Sequence, residues 1–288
     1  MKRLFNHRYD HLALSTIWLF ITSLSSFAQL EANPADDIFS AAKLALSQAQ
    51  SAKSKEKANI EYAGAEVWLN KFLKSFPNDP KAAEATYLLA VAQTQQGKNT
   101  KALQAYQKFI SFQKPGKMLG MSSLQLALHD YKGKEYESAL VHFNRAIEHL
   151  PDGNSKTLSH YSRALTLQNL PNTTQDAVTD LKYVISQENG KLYHEHSQYL
   201  VAQAYLEAKN YEEAFSLFRL TCTSKNPGIQ TQSILKTALL AQKLDKPTEA
   251  NKYHALILKN KELSEHHTSS ALYLMVNAAK KKDWEKIV

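Results

Sequence analysis

The side chains that could do chemistry are few and poorly spaced for it. His194 and His196 in LYHEHSQ, and the neighbours His266 and His267, are the pairs that would tempt a metal ion. On a helix, residues two apart point about 200° away from each other, so one ion cannot take both without irregular backbone. His142 and His149 share a helical face but stand two turns apart. With no close-spaced ligand set, these read as surface histidines and no metal site is expected. Cys222 is the one cysteine; within FSLFRLTCTS it reads as a small buried residue, not a nucleophile. The sequence has no Ser/His/acid grouping, no P-loop and no Gly-rich dinucleotide motif. Lys280, Lys281 and Lys282 before Asp283-Trp284 read as a solvated turn. The expectation is a chain without catalytic residues or a cofactor, so its meaning must lie in its elements.

Composition points to helices. The 288 residues are 43% hydrophobic, which is ordinary for a folded chain, and hold only 8 Gly and 8 Pro. A β-rich chain of this size would need more turns. The net charge is +8, without the aromatic-plus-basic cluster of a nucleic-acid module, so no nucleic-acid partner is expected. A lone cysteine excludes an internal disulfide. The N-terminus reads as a cleaved signal peptide over residues 1–28: Lys2, Arg3 and Arg8, then the short apolar run Ala13–Leu24, then Ser26-Phe27-Ala28 as a cleavage site. A membrane anchor needs about 20 apolar residues, and here Ser15, Thr16, Thr22 and Ser23 interrupt a shorter run. No stable membrane span is expected after cleavage.

Residues 29–288 are organised by repetition. Ala65, Ala102, Ala139, Ala177, Ala214 and Ala250 recur at intervals of 37, 37, 38, 37 and 36 residues. Each reads as opening the second helix of a pair. Four residues on stand Leu69, Tyr106, Phe143, Leu181, Phe218 and His254; three further stand Phe72, Phe109, Ala146, Val184, Thr221 and Ile257. Offsets of 4 and 7 define one helix face. Breakers keep the same phase: Pro77, Pro115, Pro151 and Pro227, with Gly116, Gly153, Gly190 and Gly228, are expected to end second helices. Gly97, Gly133, Pro171 and Pro247 mark a tighter turn inside units, and Ala90, Ala127, Ala164, Ala202 and Ala238 give each first helix a small contact residue. The expected fold is all-α, an α-solenoid of helix pairs with a period of about 37 residues.

The pattern resembles the tetratricopeptide repeat family. Leu89-Ala90, Gly97, Ala102, Tyr106 and Pro115 carry the likeness in one unit; Leu126-Ala127, Tyr136, Ala139, Phe143, Ala146 and Pro151 in the next; Val201-Ala202, Tyr205, Tyr211, Ala214, Phe218 and Pro227 in a later one. The resemblance covers roughly residues 60–288 and implies a right-handed superhelix, although the period exceeds the family's 34. Phe72–Ile110 is similar to exported bacterial members, among them the lipoprotein of the outer-membrane β-barrel assembly machinery and the periplasmic protein linked to the Tol-Pal system. No cysteine stands near the cleavage site and no long coiled coil precedes the array, so only a compartment and a class are taken from this.

The resemblance further implies a concave groove lined by first helices. Its residues would be Tyr87, Val91, Thr94 and Gln95; Leu124, Leu128 and Tyr131; Tyr161, Leu165 and Gln168; Tyr199 and Gln203; then Leu235 and Leu239. Such a surface is aromatic, aliphatic and amide-rich, and suits a peptide or protein partner. Members that clamp a terminal carboxylate carry Lys and Asn where this chain has Tyr87, Val91, Leu124 and Leu128, so no such clamp is expected. The leading expectation is a non-enzymatic interaction scaffold in the periplasm of a Gram-negative-type envelope, peripheral to the outer membrane. The rival is a substrate-recruiting domain of an envelope enzyme whose catalytic part lies beyond residue 288. The last unit would open its second helix at DWEKIV, leading to the expectation that the array continues in a longer chain.

Overall fold

The structure, a computed structural model, describes residues 33–280. The signal segment expected over 1–28 and the last unit's Asp283-Trp284 lie outside the described residues. Those described form thirteen α-helices packed as consecutive pairs, the all-α repeat array expected. The chain divides into two compact units, up to Phe109 and from Ile110 onward.

The first unit contains α1 (Pro34–Ser51), α2 (Lys55–Ser75), α3 (Ala82–Gln95) and most of α4 (Asn99–Ser111). Asn33 caps α1, accepting the Ala35 amide at 3.2 Å, with Pro34 opening the helix and Asp36 and Asp37 in its first turn. Ser54 caps α2 in the same way, taking the Lys57 amide at 3.3 Å. The core joins Phe39 of α1 to Leu69 and Phe72 of α2 and Leu89 of α3, with the Phe39 and Phe72 rings 5.2 Å apart. Ala65, expected to open a second helix, instead lies ten residues beyond the start of α2. The helix begins early because Ser54 supplies a cap; it runs through Gly64 and ends at the Phe76 C-cap, with Pro77 next.

The second unit runs through α5 (Lys117–Lys132), α6 (Tyr136–His149), α7 (Asn154–Leu167), α8 (Thr174–Ser186), α9 (Lys191–Glu207), α10 (Tyr211–Thr221), α11 (Pro227–Lys243), α12 (Pro247–Lys259) and α13 (His267–Lys280). Each helix packs on the next; α5 also touches α7, and α9 touches α11. Ala139, Ala177, Ala214 and Ala250 are each the fourth residue of their helix and are fully or nearly fully buried. Phe143, Leu181, Phe218 and His254 one turn on are buried too. Several core clusters form in succession, around Phe143, around Leu181, around Phe218 and around Tyr253 and Ile257.

Pro77 and Pro151 follow second helices as expected, directly beyond the C-caps Phe76 and Leu150, but the glycines act one step later. Gly116 and Gly153 do not end second helices; they cap the N-termini of α5 and α7, with φ of 112° and 146°. Gly228 sits inside the first turn of α11, whose cap is Asn226, accepting the Gly228 and Ile229 amides at 3.0 and 3.3 Å. The tight turns inside pairs share another device. Gly97, Lys134, Asn172, Lys209 and Asp245 all have positive φ, between 52° and 73°. Four of these turns close with an amide reaching back five residues, as from Lys98 to Gln93, Glu135 to Asp130, Asn210 to Tyr205 and Lys246 to Ala241, at 2.8 to 2.9 Å. Only Gly97 meets this backbone requirement without strain.

Candidate partner-binding face of the first helices

The small residues Ala90, Ala127, Ala164, Ala202 and Ala238 are fully buried. Three residues earlier, on the same helix face, stand Tyr87, Leu124, Tyr161 and Tyr199. That shared face decides their role. Tyr87 lays its ring against Tyr106 and Phe109 of α4, centroids 6.3 and 5.5 Å away. Burial pushes its phenol up to about 12. Tyr199 meets Phe218 of α10 edge-on at 5.7 Å. Leu124 is 2% exposed, inside the cluster of Phe143 and Leu150. It is a core residue, which overturns its expected place in a groove.

In the first unit, Val91 and Thr94 are partly buried and Gln95 is exposed. The Thr94 hydroxyl donates to the Ala90 carbonyl at 2.8 Å and stands 3.2 Å from the Tyr106 hydroxyl. Leu89, Ala90, Ala102, Tyr106 and Phe109 are all buried, as their spacing predicts.

In the second unit Tyr161 behaves differently from its counterparts. It reaches to the next pair, stacking on Tyr193 of α9 at 4.5 Å and 25°, with its hydroxyl 2.6 Å from His196 Nδ1. Burial raises the Tyr161 phenol, and the neighbouring Tyr131 and Tyr193 hydroxyls add to this. Burial also lowers His196 below its usual range. A neutral imidazole there accepts the phenol hydrogen. Tyr161, Tyr193 and His196 thus form one aromatic cluster between α7 and α9, while the Tyr131 ring of α5 packs on Tyr136 at 6.0 Å. Leu128 packs beside Tyr131 on the Phe143 core, and Leu165 is partly buried. Gln168 and Gln203 line one cavity of 280 Å³, and Gln203 Nε2 donates to the Tyr199 hydroxyl at 3.0 Å. Leu235 packs on the Tyr253 and Ile257 core, whereas Leu239 is exposed.

Tyr193 and His196 are absent from the groove expected from the sequence. His196, Tyr199 and Gln203 stand at i, i+3 and i+7, so extending the face one turn toward the N-terminus of α9 reveals His196. A cavity of 440 Å³ lined by Lys182, Ile185, Val201, Tyr205, Glu212, Glu213, Ser216 and Leu217 was also not foreseen.

Other polar groups fasten helices together. Asp180, 1% exposed, takes Arg163 in a two-pronged ion pair at 2.6 and 2.7 Å and His160 Nδ1 at 2.7 Å, tying α7 to α8. In the first unit, Glu66 receives Gln93, Gln96 and Lys98 at 3.1, 3.0 and 2.6 Å. Burial alone would raise Glu66; those bonds outweigh it and hold the carboxyl below its usual range. Four of the histidines read as surface residues are partly buried and bonded: His142 to Asp130, His194 to the Gln187 carbonyl, His196 to Tyr161 and His267 to the Asn260 carbonyl. Among the described residues no group of three or more His, Cys, Asp or Glu is placed to hold a metal ion. Cys222 is buried, 3.3 Å from the Phe218 carbonyl, and burial raises its thiol.

Residues 61–116 match the family model of the tetratricopeptide repeat. The helix pairs repeat on both sides of that stretch, in a tetratricopeptide-like array. No curated protein matches the chain by sequence. Among solved structures, PilF of Pseudomonas aeruginosa is similar at 16% identity over 82% of this chain and 100% of its own, with a TM-score of 0.49. A tetratricopeptide repeat protein from Parabacteroides merdae is similar at 15% identity over 86% of this chain and 90% of its own, with a TM-score of 0.45. PilW, a type IV pilus biogenesis factor, is similar at 15% identity over 85% and 98%, with a TM-score of 0.41.

Proposed function

We propose that the chain is a non-enzymatic scaffold of the bacterial cell envelope, exported to the periplasm, that docks a protein or peptide partner on the first helices of its second unit. The observation that carries this is the Tyr161–Tyr193–His196 cluster. It places rigid amphipathic rings, none of them fully buried, across two successive first helices, α7 and α9. Tyrosines in such a setting give large contact area at small entropic cost. Export is supported by the basic, apolar and small-residue order of residues 1–28. No described helix is long and apolar enough to cross a membrane.

A photo-crosslinking amino acid tests the docking face. Placed at Leu165 in cells, it should trap a discrete adduct; placed at Val141, an exposed position on the second helix α6, it should not. Tyr161→Ala should reduce the Leu165 adduct. Equal labelling from both positions would remove the assignment. Export is checked separately, by the mass of the mature chain and its release on osmotic shock; a cytoplasmic protein retaining residues 1–28 contradicts it.

A further inference from the structure

The 280 Å³ cavity lies where α7 and α9 end and α8 begins. Its buried wall is apolar: Leu167, Ala177, Val178 and Leu181. Its less buried lining sets the polar Gln168, Thr174, Gln203 and Glu207 beside Leu170, Leu200 and Ala204. Gln168, Thr174 and Gln203 can each accept as well as donate. Glu207 is the one charged lining residue, and as a carboxylate it only accepts. No described residue pairs with it. Gln203 spends one of its two Nε2 hydrogens on the Tyr199 hydroxyl, and its carboxamide oxygen stays an acceptor. No Lys, Arg or His lines the space. Two helix C-termini meet one N-terminus here, so the helix dipoles do not reverse the sign that Glu207 sets.

An apolar wall leading to acceptors and one negative charge matches a side chain with a methylene stem and a cationic head. Resting on the docking reading, which shares Gln168 and Gln203, we infer that the cavity receives a lysine or arginine side chain of the partner segment. The stem lies along Leu167, Leu181 and Leu200, and the head is held by Glu207 and Gln203.

The test needs no partner. N-acetylargininamide and N-acetyllysinamide are titrated into the full chain while the amide resonances of residues 167–178 and 200–207 are followed. Both should give saturable shifts confined to those segments. The uncharged N-acetylnorleucinamide, with an equally long apolar chain, should bind at least several-fold more weakly. Glu207→Gln, at an exposed position, should weaken the cationic probes roughly tenfold, as expected for loss of a charged hydrogen-bond partner, and leave norleucinamide unchanged. Equal binding of norleucinamide, preferential binding of N-acetylglutamate amide, or no localised shift with any probe would overturn the inference. A failed Leu165 crosslink leaves this titration intact, and a failed titration leaves the crosslink intact, so the two readings fall separately.

Discussion

At the scale of single residues, one phase of the repeat is filled by an outlier. The core positions held by Leu69, Phe143, Leu181 and Phe218 are held in the last pair by His254. Its Nδ1 meets Ser270 Oγ at 3.0 Å, its ring lies against Tyr273 at 4.3 Å, tilted by 30°, and its Nε2 is buried without a hydrogen-bond partner. Burial lowers its folded pKa. The unfolded chain therefore binds the proton more readily, so stability is full above the unfolded value and falls as pH drops below it toward the folded one. His196 adds a shift of the same sign. We expect thermal unfolding of α12 and α13 to move to lower temperature between pH 7.5 and 5.5. His254→Phe should lessen that shift; an unchanged acid slope would contradict the assignment. The sequence displayed His254 at the core phase plainly, but its missing partner depends on Ser270 and Tyr273, which belong to another helix. The same holds for Tyr161. Its offset from Ala164 matched those of Tyr87 and Tyr199, and only the contact with Tyr193 and His196 separates it from residues that pack within their own pair.

At the scale of elements, the turns and the pins between helices set stability. Lys209 sits at φ 61°. A left-handed residue with a side chain costs about 1–2 kcal/mol, and glycine returns about 0.5–1 kcal/mol of that as extra unfolded-state freedom. Lys209→Gly should therefore stabilise by roughly 0.5–1 kcal/mol, read as a rise in the denaturation midpoint; the same change at exposed Lys182, inside α8, should lower it. Asp180→Ala removes the partner of both Arg163 and His160 and should destabilise by about 3–5 kcal/mol. Helix pairing was legible because alanine, aromatic and breaker positions recur at nearly constant spacing. The turn device was not. Its left-handed position carries Gly once, Lys twice, Asn once and Asp once, so residue type hid a backbone feature that the phase alone would have revealed. Asp180 stood three residues after Ala177, on the inward face, and that charge in an apolar phase was the visible trace of the Arg163 pin.

At the scale of the molecule, the sequence conveyed architecture more fully than purpose. A period can be read from one chain because each unit must bury its neighbour's apolar face. A docking face is the surface left after that burial, and its chemistry arises from side chains more than 30 residues apart, such as Tyr161 and His196. The second unit has successive core clusters, each built from adjacent helices. Load applied along such a chain meets no single keystone. Held between optical traps, the second unit should lengthen in several small steps, each releasing roughly 120–130 Å of contour for a pair of about 37 residues. It should shorten again at nearly the same force, because each rejoining pair closes only local loops. One abrupt rip would show that the clusters fail together. Small reversible steps would make this stretch of chain a compliant spring, able to keep a grip on its partner while the surface that carries it moves.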